Sequence, residues 1–405
     1  MPDHAFPDAA DDAQHRPERR PLVCFTADAE TEQALRNGLS ELGRLQAEFH
    51  RADIEKAIAA LREMPTPWTL VVDVAGHPQP LAALEDLSQV VEPDVRVLVV
   101  GDREDVGFYR QLTRSFGVAD YLYKPLTVAM VAEHFGPVVA RRRFTQAHVR
   151  GGRLMTVTGA RGGVGASTIA GNLAWYLAEV AHRHAAVLDA DLHRGIQPLL
   201  LSAAAGPGLR SAIEHPERVD ELFVERSATA AGERLSLLAA EEPLGAPLSY
   251  SPGGAERLVG MLRRRYNFIV ADAPFAAEGF GRDLLDLAQQ RIFVFQPTLA
   301  CIRDVLRLLQ IEAGPAQASR PLLVLNRAGI RGGLSTRQVI EALKLEPDIV
   351  VPDLPRRVEE AATLGQMAVG AGGPFRNAIA QLARASGGVG DKAPARRSLR
   401  TLFRR

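Results

Sequence analysis

The chain has 405 residues, too many for one ordinary domain and enough for two with cores of their own. Hydrophobic residues make up 46% and charged residues 24%, which excludes a disordered, fibrous or collagen-like chain. Lysine plus arginine equals aspartate plus glutamate at 48 each, so no overall field draws in nucleic acid or acidic lipid, and such contacts would have to be local.

Residues 1–20, MPDHAFPDAADDAQHRPERR, are rich in Pro, Asp and Arg and lack the apolar stretch of a secretory signal, so they read as a disordered tail. From 21 to 140, short apolar runs (PLVCF, WTLVVDV, VRVLVVG, DYLYKP) alternate with helix-like segments (TEQALRNGLSEL, IEKAIAALREM, YRQLTRSF, VAEHFGPVVARR). That alternation predicts a parallel sheet with helices on both faces. A basic stretch at 141–152 reads as a linker. Cys24 and Cys301 sit in separate apolar runs and suggest neither a disulfide framework nor a metal site. No apolar run approaches the roughly 20 residues that span a bilayer, and the expectation is a cytoplasmic protein.

Residues 153–387 alternate in the same way, beginning with the strand LMTVTG. The loop that follows, GARGGVGAST, is rich in glycine and opens a helix on which Ile169, Leu173, Leu177 and Val180 recur on one face. Glycines let such a loop turn its N–H groups toward phosphate, and the helix start adds its positive dipole. Gly162, Gly163, Val164, Gly165, Ala166, Ser167 and Thr168 are the expected cradle, with Ser167 offering a hydroxyl to Mg²⁺. The lysine that normally precedes the Ser/Thr is replaced by Ala166. Its loss removes charge compensation during phosphoryl transfer and costs hydrolysis more than binding.

Three further strand ends converge on the same crevice. VLDADL carries Asp189 and Asp191, FIVADAP carries Asp272 in the place of an acid that holds Mg²⁺ through water, and LLVLNRAG ends on Asn326, whose amide could pair with an adenine edge. Each alone could be a cap or turn residue. The arginines at 263–265 could form a basic patch or a solvated helix end. In the tail at 388–405, residues 396–405 set Leu399, Leu402 and Phe403 among five arginines. That pattern fits a peripheral membrane contact, a solvated tail or a docking peptide.

Residues 153–387 resemble the MinD/ParA class of deviant P-loop ATPases, through GARGGVGAST, LDADL, VADAP, LNRAG and VVPDLPRRVEEAATLGQ in that order. The resemblance implies ATP and Mg²⁺ as cofactors and a homodimer that sandwiches nucleotide. In that class a lysine at the front of the loop reaches the partner's phosphates; here the position is Arg161, which keeps the charge. Asp191 matches the residue that positions the attacking water.

The fold class expected for the whole chain is α/β, a receiver-like (flavodoxin-like) parallel-sheet domain followed by a MinD/ParA-like P-loop NTPase domain. That order resembles the CpaE/TadZ family of Flp (Tad) type IV pilus assembly. It implies a localisation factor at the inner face of a cell pole, with partners such as the Tad secretion ATPase. By comparison with working receivers, Asp73 matches the phosphoryl acceptor and Lys124 the lysine after the fifth strand. Asp28 stands alone where paired acids are needed, and Gly101 stands where a hydroxyl is needed. Without paired acids Mg²⁺ is poorly held, so the domain is expected to be a docking module that kept the fold. The function expected is a nucleotide-binding scaffold with weak or no hydrolysis; the alternative is a cycling ATPase acting on membrane or nucleoid.

Overall fold

The computed structural model describes residues 19–40, 47–140, 152–317 and 319–387. The expected N-terminal tail up to residue 18, the linker residues 141–151 and the C-terminal tail at 388–405, including its amphipathic arginine segment, lie outside the described residues. The chain divides into two compact units, 1–150 and 151–405.

The first unit is a five-stranded parallel sheet of β1 (Leu22–Thr26), β2 (Ala47–Arg51), β3 (Thr69–Asp73), β4 (Arg96–Gly101) and β5 (Asp120–Tyr123), in the order β2-β1-β3-β4-β5. This is a doubly wound order with its crevice at the carboxyl ends of β1 and β3. Successive residues feed opposite cores, as a period of two requires. Val23, Phe25, Leu70 and Val72 pack on one face, and Leu22, Cys24, Val71 and Leu98 on the other. Helix α1 (Ala29–Leu39) follows β1 and is capped by Asp28, whose side chain accepts from Thr31 N.

The second unit is an eight-stranded sheet. Its strands are β6 (Arg153–Gly159), β7 (Ala185–Asp189), β8 (Thr229–Ala230), β9 (Leu235–Leu238), β10 (Phe268–Asp272), β11 (Gln290–Phe295), β12 (Leu322–Ala328) and β13 (Ile349–Pro352), in the order β13-β12-β11-β6-β10-β7-β9-β8. All neighbours are parallel except the short β8, which pairs antiparallel with β9. The α/β architecture is thus as the alternating pattern predicts. Met155, Val187 and Val270 face one core while Leu154, Leu188 and Ile269 face the other, which is why these strands read as continuous apolar runs.

Five helices of the two units matter below: α1, then α2 (Ala166–Trp175), α3 (Gln197–Leu201), α4 (Gly254–Arg265) and α5 (Leu299–Leu308). In α2, Ile169 and Leu173 are buried as the period predicts, and Leu177 is buried just beyond it. Val180 is only half-buried, because Tyr176–Val180 adopt a wider turn that rotates the face. Among the described residues, no helix is long and apolar enough to cross a membrane.

Candidate functional site

The loop after β6 leaves the middle of the second sheet, between β10 and β11. Gly163 and Gly165 adopt φ of +80° and +89°, the left-handed region that side chains resist. A Cβ on Gly162 or Gly163 would meet nothing within 4 Å, so the loop curves around open space. Within the loop, Val164 is buried, and Gln296 Nε2 donates to Gly163 O at 3.1 Å. Ile169 N donates to Gly165 O, so the amides before it at the start of α2 have no acceptor one turn back. Those donors and the open curve fit a phosphate chain.

Asp189 and Asp272 are register partners at the ends of β7 and β10, and both are buried. Burial pushes the Asp189 carboxyl up to about 7, with the Asp272 charge adding to it. Burial also raises Asp272, against the hydrogen bonds from Gln197 and from the Ser167 hydroxyl. Asp189 accepts from Gln197 N at 3.0 Å and from Asp191 N at 3.3 Å. Gly195 packs so close that a Cβ there would stand 2.3 Å from the Asp189 carboxylate. Two buried carboxylates beside a half-buried hydroxyl form a set of hard oxygen donors that a cation would relieve, and Ser167, Asp189 and Asp272 therefore fit Mg²⁺.

Asp191 lies nearer the surface, and its Oδ1 accepts from Arg194 N at 3.0 Å and His193 N at 3.3 Å. Thr168 is half-buried at the start of α2. Arg161 is exposed at the front of the loop, and its Nη1 donates to Asp304 Oδ2 on α5 at 3.0 Å. The structure thus brings Ser167, Asp189 and Asp272 together and leaves Arg161 and Asp191 at the rim.

Asn326 braces the loop. Its Nδ2 donates to Val164 O at 2.8 Å, and its Oδ1 accepts from Arg327 N at 2.9 Å. The side chain is buried against Gly165, where a Cβ would stand 2.5 Å from Nδ2. The amide braces the loop through one N–H and one lone pair of its oxygen. The three arginines that end α4 are also engaged within the unit: Arg263 Nε donates to Gly152 O, Arg264 pairs with Glu221 and Arg265 with Glu225.

Sequence reasoning missed Gln197. Its Nε2 donates to Ser167 O at 2.9 Å and to Asp272 Oδ2 at 2.8 Å. Nothing in GIQPLLL marks it, since a lone amide before an apolar run reads as a helix start. Asp304 was missed for the same reason, being one acid on an amphipathic helix.

In the first unit, Lys124 Nζ donates to Asp73 Oδ2 at 2.7 Å and to Asp28 Oδ2 at 2.5 Å. Asp73 also accepts from Ala27 N on Oδ2 and Ala75 N on Oδ1, both at 3.0 Å. Burial works against the Asp28 charge, but bonds from Lys124 and Thr31 outweigh it and hold the carboxyl at about 2. Burial likewise works against the Lys124 charge, and the two carboxylates raise its pKa over that opposition. Both Asp73 oxygens are therefore already engaged. Gly101 lies against the Tyr121 ring, where a Cβ would stand 2.8 Å from the phenol oxygen.

No protein-family model matches the sequence. The chain is similar to the septum site-determining protein MinD of Guillardia theta, 27% identical over 161 residues, which are 39% of this chain. It spans 57% of that relative's length. Among solved structures, a ParA family ATPase from Chlorobium tepidum TLS superposes with a TM-score of 0.51 at 18% identity, over 58% of this chain and 98% of that one. The pilus assembly protein CpaE from Caulobacter crescentus CB15 is 29% identical and covers 29% of this chain and 97% of its own, with a TM-score of 0.27. The second unit therefore has the fold of the MinD/ParA-type P-loop ATPases.

Proposed function

We propose that the chain is a nucleotide-binding localisation or scaffold factor for Flp (Tad) type IV pilus assembly, which closes as an ATP-sandwiched homodimer and turns ATP over weakly or not at all. The observation that carries the nucleotide part is the site at the end of β6. An open glycine cradle, a helix start with free amides and a Ser167–Asp272–Asp189 cluster stand together, and Ala166 occupies the position of the usual lysine. Gly162 through Thr168 would hold the phosphates, and Ser167, Asp189 and Asp272 would face Mg²⁺. The metal would supply the cationic charge that balances the phosphates and the two carboxylates. Ala166 offers no mobile charge to the β- and γ-phosphates, so binding outlasts catalysis. The pilus part rests on the order of the two units and on the loop ARGGVGAST, and the first unit serves as a docking module in which Lys124 occupies Asp73.

The alternative is a MinD/ParA-type ATPase that cycles on membrane or nucleoid. Asp191 at the rim of the cradle favours it, since a carboxylate there could hold a water near the γ-phosphate. The test is solution mass by light scattering with and without Mg-ATP, run beside phosphate release. The scaffold reading expects a nucleotide-dependent dimer with turnover near background, and Arg161→Ala returns it to monomer. Turnover that rises with a surface or partner and is lost in Asp191→Ala would sink the scaffold reading in favour of the cycling one.

A further inference from the structure

Gln197 opens α3 directly after the loop that follows Asp189 and carries Asp191, and it is fully buried. Its backbone N–H donates to Asp189 Oδ2 at 3.0 Å. Its side-chain Nε2 donates to Asp272 Oδ2 at 2.8 Å and to Ser167 O at 2.9 Å. One residue is bonded to all three residues that would face a cation, while supplying no ligand itself. The remaining atom, Oε1, has no hydrogen-bond partner among the described residues and lies against Gly171 in the middle of α2, where a Cβ would stand 2.7 Å away. Glycine inside a helix is destabilising relative to alanine. Position 171 therefore serves the approach of the amide and not the helix.

We propose that Gln197 is the positioning residue of the metal site: its two N–H donors fix Asp189 and Asp272 in the orientation in which they receive a divalent cation, and Gly171 is the gap that admits its side chain. Neutral donors suit this task. They satisfy one oxygen of each carboxylate without adding a positive charge that would compete with the cation. The inference rests on reading the crevice as a magnesium–nucleotide site and adds the residue that sets its metal affinity. Partners that orient ligating groups from behind shift metal affinity by about 10–100-fold.

The experiment uses the full chain with ADP, titrated with Mn²⁺ as the probe, with free metal read by electron paramagnetic resonance. Gln197→Met keeps the side-chain bulk and removes the amide; Gly171→Ala keeps the amide and displaces it. Both variants are expected to weaken Mn²⁺ binding by about tenfold or more, with the melting temperature of the metal-free protein within a few degrees of wild type. Gly171→Ala retains every proposed donor, and the melting temperature of the metal-free variant separates its loss of affinity from a failed fold. Binding within about twofold of wild type in both variants would overturn the inference and make Gln197 a packing residue. A wild type that binds no Mn²⁺ in the presence of ADP would overturn the magnesium–nucleotide reading, and this inference with it.

Discussion

Asp189 carries a tension that a substitution can measure. Its carboxyl is moved from an ordinary 3.8 up to about 7, by burial first and by Asp272 second. Between those values the native state binds a proton that the unfolded state has released, so stability falls as pH rises through that window and is greatest below it. Every tenfold change in proton affinity between the two states corresponds to about 1.4 kcal/mol. Asp189→Asn removes the charge and keeps an oxygen for the bond from Gln197 N. The metal-free variant should therefore melt several degrees above wild type near pH 8, match it near pH 4, and lose the stabilisation that Mg²⁺ gives. A thermal melt across pH checks all three, and equal melting curves for the two proteins at pH 8 would remove the argument. Asp189 and Asp272 stood out in the sequence because each ends a buried apolar run, where α/β sheets place ligands. Gln197 did not, because its role comes from three partners that are as many as 75 positions away.

For the elements, the loop between β6 and α2 depends on a strand that is two places away in the sheet. Asn326 at the end of β12 holds Val164 O, and Gly165 must lack a side chain to let it in. Asn326 thus has a bracing role beside the expected adenine contact, and one variant separates the two. Asn326→Ala removes one buried hydrogen bond, worth about 0.5–1.5 kcal/mol net, and should weaken ATP and GTP binding alike by several-fold, with the ratio of the two unchanged. A nucleotide competition assay reads that ratio. A variant that lost ATP binding alone would support the base-reading role. The central strands were legible from their unbroken apolar runs, whereas β2 and β9 were not. AEFHR in β2 is half-exposed on the sheet edge and carries no apolar run, and LSLL in β9 is a four-residue stretch. Neither has a periodic signal long enough to separate strand from loop.

Across the whole molecule, charge balances at 48 against 48, so the proposed dimer would have to be driven by particular groups, and Arg161 is exposed at the front of the cradle. Within one chain it is held by Asp304, a contact 3.0 Å long in which the arginine side chain is 46% exposed. Arg303 binds the other oxygen of the same carboxylate at 2.9 Å, so Asp304 stays compensated when Arg161 leaves. Exposed pairs of this kind contribute only about 0.2–1 kcal/mol, less than a charge-assisted bond to phosphate in a closed interface. In the proposed ATP-sandwiched dimer, Arg161 would exchange Asp304 for the partner's nucleotide, and the intrachain pair would act as a small brake. Asp304→Ala should release that brake and leave the nucleotide-dependent dimer intact or several-fold tighter, where Arg161→Ala abolishes it. Sedimentation with Mg-ATP distinguishes these outcomes. A dimer lost in both variants would mean that the Arg161–Asp304 pair is itself part of the interface, holding the loop in the shape that the second chain recognises.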